Sequence, residues 1–159
     1  MSEKLPDDVY IELGKLMWDL LYLEDLAESL VAPLIDKPNR LTLGPLLEAG
    51  IRELAPNQQL EGIARAKEWL EAVLEIIPYR NALAHGTQCS FYPTLEDIKM
   101  HNSETPQIIQ HVDKHGRVTS IEMKSESLSS LRRRISPLRN DWRDVCLNLR
   151  EASKLLKSG

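Results

Sequence analysis

The chain has 159 residues, of which 42% are hydrophobic and 28% charged, a composition that indicates one folded globular domain and excludes a disordered chain. Its 24 acidic and 20 basic residues give a net charge of −4, which excludes the general electrostatic attraction of a basic domain for nucleic acid. A polyanion would therefore have to be bound by a local site. We expect a single domain over residues 1–159.

The first half of the chain predicts three helices. Apolar residues recur at three- and four-residue steps from residue 7 to about residue 30, with acidic residues at the start. A second helix is predicted at 43–54, with Thr42 as its N-cap. A third begins near Gln59 and runs into residues 78–86.

The second half predicts a small β-hairpin followed by one long helix. Alternating residues at 108–112 and 118–123 flank a turn in which Gly116 can supply a positive φ. Helical periodicity returns from 127 to 156. The predicted fold is an all-α, up-and-down bundle of four to five helices, with a hairpin or ordered loop at about 104–124 inserted before the last helix.

The remaining composition favours a cytoplasmic protein without metal or cofactor. The first ten residues lack a secretory signal, and no later stretch is apolar enough to cross a membrane. Cys89 and Cys146 are far apart in sequence and are expected to be reduced thiols. His101, His111 and His115 lack metal-ligand spacing, so we expect exposed loop histidines and no metal site.

Residues 78–86 read PYRNALAHG and place three polar side chains next to a helix stop. Asn81 and His85 are four residues apart and share a helix face, and Arg80 is long enough to reach round to it. The negative end of the helix dipole favours the imidazolium form of a histidine, and a guanidinium matches the geometry of phosphate oxygens. Two interpretations stay open: an ordinary polar helix end, or a site for phosphodiester chemistry.

The same stretch contains its own signals for helix geometry. Pro78 removes one helical hydrogen bond and is expected to bend the helix or start a new turn. Gly86 is the residue type that favours the left-handed position after a helix. The apolar residues 82–84 are expected to pack tightly.

A single histidine supplies only half of the required acid–base chemistry. Cleavage of RNA through its own 2′-hydroxyl needs a base on that hydroxyl and an acid on the leaving 5′-oxygen at the same time. A symmetric dimer would bring two copies of Arg80, Asn81 and His85 into one cleft. We therefore expect a homodimer.

The segment RNALAHG resembles the Rx4–6H motif of the HEPN domains (higher eukaryotes and prokaryotes nucleotide-binding), with Arg80, four intervening residues and His85. The resemblance implies an all-α bundle that dimerises. It also implies a metal-independent endoribonuclease of toxin or defence type, with Arg80, Asn81 and His85 as site residues, RNA as substrate and an antitoxin protein as a possible partner. The alternative it leaves open is a non-catalytic module that binds a nucleotide, RNA or a partner protein.

Two further features have a functional and a structural interpretation. The basic run Arg132, Arg133 and Arg134 is predicted either to follow an RNA backbone at the edge of the cleft or to form a solvated helix face that pairs with nearby acidic residues. The three tryptophans lie in helical apolar stripes and are expected to be anchors of the core or of an interface, with base stacking as the functional alternative. They are Trp18, Trp69 and Trp142.

Overall fold

The computed structural model describes residues 5–36, 41–90 and 107–158, which form four long or medium helices and a small sheet. Two single 3-10 turns, Ala32–Leu34 and Ala55–Asn57, follow the first and second helices. The main elements in chain order are α1 (Asp7–Val31), α2 (Leu43–Leu54), α3 (Glu61–His85), β1 (Thr87–Ser90), β2 (Gln107–Val112), β3 (Val118–Glu122) and α4 (Ser125–Ser158). The predicted mostly helical fold, with a hairpin before the last helix, is confirmed.

Helix boundaries follow the sequence signals closely, with two differences. Thr42 occupies the N-cap position of α2 as predicted, but its hydroxyl makes no capping hydrogen bond. Helix α3 continues through Pro78 to His85, so no new helix starts at the proline. A proline removes one backbone donor, and the surrounding helical bonds hold the remaining turns together.

The sheet has three antiparallel strands in the order β1-β2-β3. The predicted hairpin is formed by β2 and β3, where Val112 is paired with Val118, and Gly116 has a φ of 79° in its turn. Asp113 closes that turn by accepting hydrogen bonds from the backbone N–H groups of Arg117 (2.9 Å) and His115 (2.8 Å). Both bonds lower the pKa of the Asp113 carboxyl, and the bond from Arg117 has the larger effect.

Strand β1 was not predicted, because its sequence TQCS has no apolar alternation. Its backbone pairs with β2 in the register Thr87 with Gln110, so the chain leaves α3 and joins the sheet at once. The predicted loop after it, which contains His101, lies outside the described residues.

The chain divides into two compact units. The first contains Met1–Trp18 and Pro78–Arg133, and therefore holds the start of α1, the end of α3, the sheet and the start of α4. Its core is built from apolar residues of each of these elements. They are Val9, Leu16, Ala82, Ile108, Ile121, Met123, Leu128 and Leu131.

The second unit contains Asp19–Ile77 and Arg134–Gly159. In its described part, all of the regular elements are α-helices or 3-10 turns. Its core includes the fully buried Leu23, Leu47 and Leu70. Two tryptophans anchor it as predicted: the indole of Trp69 donates to the carbonyl of Leu138, and that of Trp142 to the carbonyl of Leu26, both at 2.8 Å.

In the part of the chain that the structure describes, every helix is too short or too polar to cross a membrane.

Candidate functional site

The three motif residues lie in the last two turns of α3. Arg80 and Asn81 are half-buried, and His85 is exposed in the final turn. The Nη1 atom of Arg80 donates a hydrogen bond to Oδ1 of Asn81 at 3.3 Å. The amide oxygen of Asn81 therefore contacts the guanidinium of Arg80.

Gly86 ends the helix for a different reason from the one predicted. It does not adopt a positive φ, and its N–H donates to the carbonyl of Ala82 at 2.7 Å. A Cβ built on Gly86 would collide with the carbonyl of Ala82 and with Cγ2 of Ile109, and would lie 2.9 Å from the carbonyl of Gln110. Only glycine lets the end of α3 lie this close to β2.

This close approach brings a second histidine to the motif. His111 is half-buried on β2, and its ring centroid lies 6.2 Å from that of His85, with the ring planes tilted by 45°. Ile109 and His111 are two residues apart on a strand and share one face, the face against which Gly86 lies. The structure thus places two imidazoles side by side within one unit.

The expectation that His111 is an exposed loop histidine is therefore wrong, because His111 lies on a strand and is half-buried. His115 does lie exposed in the hairpin turn, and His101 is outside the described residues. Among the residues described, no group of three or more histidine, cysteine or acidic side chains has a metal-binding arrangement.

The basic run on α4 is partly engaged in contacts with α1. Nη1 of Arg132 lies 3.0 Å from Oε2 of Glu12, which also accepts a hydrogen bond from the hydroxyl of Ser129 at 3.1 Å. The bond from Arg132 is the main cause that lowers the pKa of the Glu12 carboxyl. Arg133 and Arg134 have exposed side chains. Arg132 thus fits the structural interpretation, and the other two fit either one.

A second polar cluster lies in the helical unit. Asp19 is only 5% exposed, and its Oδ1 lies 2.6 Å from Nη1 of Arg139. The guanidinium also lies over the ring of Tyr22, 4.6 Å from its centroid, while its Nε is buried without a hydrogen-bond partner. Arg139 is thereby a half-buried structural cation.

The described cysteine side chain is not set up for nucleophilic chemistry. Cys146 is a half-buried free thiol, and burial raises its pKa, which disfavours the reactive thiolate. The side chain of Cys89 lies outside the described part of the chain.

Helix α1 exposes a row of large apolar side chains. Trp18 is 69% exposed and so is not the core anchor that one interpretation predicted. The neighbouring exposed residues on α1 are Tyr10, Ile11, Met17, Leu21 and Tyr22. Gly14 lies among them with open space around its Cα. An apolar row of this kind is typical of a contact surface.

No family model, curated protein or solved structure matches this chain. The resemblance to HEPN domains therefore rests on the short sequence motif.

Proposed function

We propose that this protein is an endoribonuclease of HEPN type that cleaves RNA without a metal ion, with Arg80, Asn81 and His85 in its site. In this proposal His85 transfers a proton as acid or base, and Arg80 stabilises the negative charge that develops on the phosphorus oxygens. Asn81 fixes the guanidinium through its carboxamide oxygen. The product carries a 2′,3′-cyclic phosphate or a 3′-phosphate.

The observation that carries the proposal is the arrangement at the end of α3. A guanidinium held by an amide and an exposed imidazole lie within two helical turns, which supplies both a phosphate-binding group and a proton-transfer group. The helical fold and the Rx4–6H spacing support a HEPN identity. A toxin or defence role in the cytoplasm, with a protein inhibitor as partner, is the extension that this resemblance implies.

The proposal includes a homodimer, supported by the exposed apolar face of α1. A second copy of the chain is suited to pack on this face. The face has a large exposed side chain, Trp18, and one turn away Gly14, where a Cβ would meet no other atom. Trp18→Glu is expected to convert the dimer to a monomer in light scattering, whereas Leu155→Glu, at an exposed apolar position of α4, is not. A wild-type monomer at micromolar concentration would exclude this dimer.

The ribonuclease proposal is tested by incubating purified protein with RNA in excess chelator. We expect cleavage by the wild type and a loss of about 10²-fold or more in His85→Ala, the usual contribution of an acid or base. His115→Ala is the matched control, because it removes an exposed histidine from the hairpin turn. No cleavage by the wild type, or equal cleavage by His85→Ala, would contradict the proposal. RNA binding without cleavage would favour the non-catalytic module.

A further inference from the structure

The proposed reaction needs two proton-transfer groups, and one motif supplies only one of them. One group must remove the proton from the 2′-hydroxyl while another delivers a proton to the departing 5′-oxygen. The sequence suggested that the second group comes from a second copy of the chain. The structure offers a nearer source.

We infer that His111 is the second acid–base residue, so that His85 and His111 of the same chain form the catalytic pair. This inference rests on the proposed function. The distance between the two ring centroids, 6.2 Å, is about twice a hydrogen-bond length of roughly 3 Å, so one phosphodiester group can contact both imidazoles. The ring planes are tilted by 45°, so the two imidazoles are not stacked on each other.

The reaction balances with these two residues alone. One imidazole takes the proton of the 2′-hydroxyl as O2′ forms a bond to phosphorus, and the bond from phosphorus to O5′ breaks. The other residue, as imidazolium, gives its proton to O5′. The products are a 2′,3′-cyclic phosphate and a 5′-hydroxyl, and the two histidines have exchanged protonation states.

The fold holds this pair at a fixed separation. His85 is followed directly by Gly86, which lies against Ile109 and the carbonyl of Gln110, and Gln110 is followed directly by His111. The backbone pairing of Thr87 with Gln110 continues this contact into the sheet. Each histidine is therefore one residue away from a close backbone contact, and the pair is positioned before substrate binds.

With this histidine pair, the acid–base chemistry does not require a dimer. With His111 present, one chain contains both proton-transfer groups together with Arg80. The apolar face of α1 then serves assembly rather than completion of the acid–base pair.

The test compares wild type, His85→Ala, His111→Ala and the control His115→Ala on two substrates. The first is an RNA oligonucleotide, and the second is the same oligonucleotide with a bridging sulfur in place of O5′ at one linkage. A thiolate leaves without protonation, so the sulfur substrate does not need the general acid. Because His111 is half-buried, His111→Gln is a second variant that keeps side-chain volume, and circular dichroism checks the fold of each protein.

We expect both His85 and His111 variants to cleave RNA about 10²-fold or more slowly than wild type, with His115→Ala unaffected. The sulfur substrate should restore wild-type rate in one of the two histidine variants and thereby identify the acid. If His85→Ala is impaired while the His111 variants cleave like His115→Ala, the inference is wrong and the proposed function stands. If neither variant is restored by sulfur, the acid–base pair is wrong. If the wild type does not cleave RNA, the proposed function itself fails.

Discussion

Two polar clusters in this protein have opposite characters. In the helical unit, Asp19 is buried and paired with Arg139, whose guanidinium also packs on Tyr22. Where α3 meets β2, His85 is exposed and His111 half-buried, and their ring planes are tilted by 45°. The first cluster uses its charges within the fold, whereas the second contains an imidazole that is exposed to solvent.

The difference shows which polar residues are available for function. A buried charge needs its partner, because an unpaired ion in the interior is costly. An exposed imidazole has no such requirement and can exchange protons with a substrate. Changes in the first cluster should therefore alter stability, and changes in the second should alter activity.

The largest effect on stability is expected from Asp19→Ala, which leaves the guanidinium of Arg139 without its buried carboxylate. Loss of one partner of a buried pair typically costs about 3–5 kcal/mol, and because 31% of the Arg139 side chain is exposed we expect the lower end, about 3 kcal/mol. Chemical denaturation measures this change. RNA cleavage per folded molecule should be unchanged.

The matched control for that variant is Glu151→Gln. Glu151 pairs with Lys154 at 3.4 Å, but both side chains are largely exposed, so the change in unfolding free energy should stay within about 0.5 kcal/mol. Equal effects of Asp19→Ala and Glu151→Gln would contradict the contrast between the two clusters.

Gly86→Ala is expected to affect both stability and activity. Its Cβ would collide with the carbonyl of Ala82 and with Ile109, and overpacking of this kind typically costs about 1–3 kcal/mol. The collision would also push α3 away from β2 and separate His85 from His111. RNA cleavage by the folded fraction should therefore fall.

Gly44→Ala tests the same substitution on α2, at a position where a Cβ would meet no atom within 4 Å. Alanine is a better helix former than glycine, so this variant should be about 0.4–1 kcal/mol more stable than wild type. Measurement of both variants by thermal unfolding separates the steric effect of Gly86 from the general effect of removing a glycine. If Gly86→Ala is as stable and active as Gly44→Ala, the close contact with β2 does not position the site.

The smallest expected effect concerns Glu12 and its partner Arg132. Because the hydrogen bond from Arg132 lowers the pKa of Glu12 in the folded state, its contribution is present above the ordinary glutamate value of about 4.3 and is lost as pH falls through the lowered value. The stability difference between wild type and Glu12→Gln should therefore shrink on acidification. If the stability difference between wild type and Glu12→Gln grew between pH 7 and pH 3, the lowered pKa of Glu12 would be contradicted.

Much of the helical fold was predictable because apolar periodicity is a local property. The bounds of α2, at 43–54, and the hairpin turn at Gly116 followed from caps and turn residues. Strand β1 was not predictable, because TQCS has no apolar alternation and its backbone pairs with β2, a partner that is distant in sequence.

The candidate site was predictable only in part. Arg80, Asn81 and His85 are close in sequence, so one helix places them together. The approach of His111 depends on the register of β1 with β2 and on the missing side chain at Gly86. The available signal was the position of Gly86 directly after the motif, which indicated a helix end but not what lies against it.

The central claim is that the two imidazoles of one chain bind the same phosphate group. The most direct measurement is a titration of the protein with inorganic phosphate, followed by NMR of the histidine ring protons. The chain has four histidines, and the variants His85→Ala, His111→Ala and His115→Ala assign their signals. We predict that the signals of His85 and His111 shift together with one dissociation constant, while that of His115 does not move. A shift of His85 alone, or of neither, would contradict the claim.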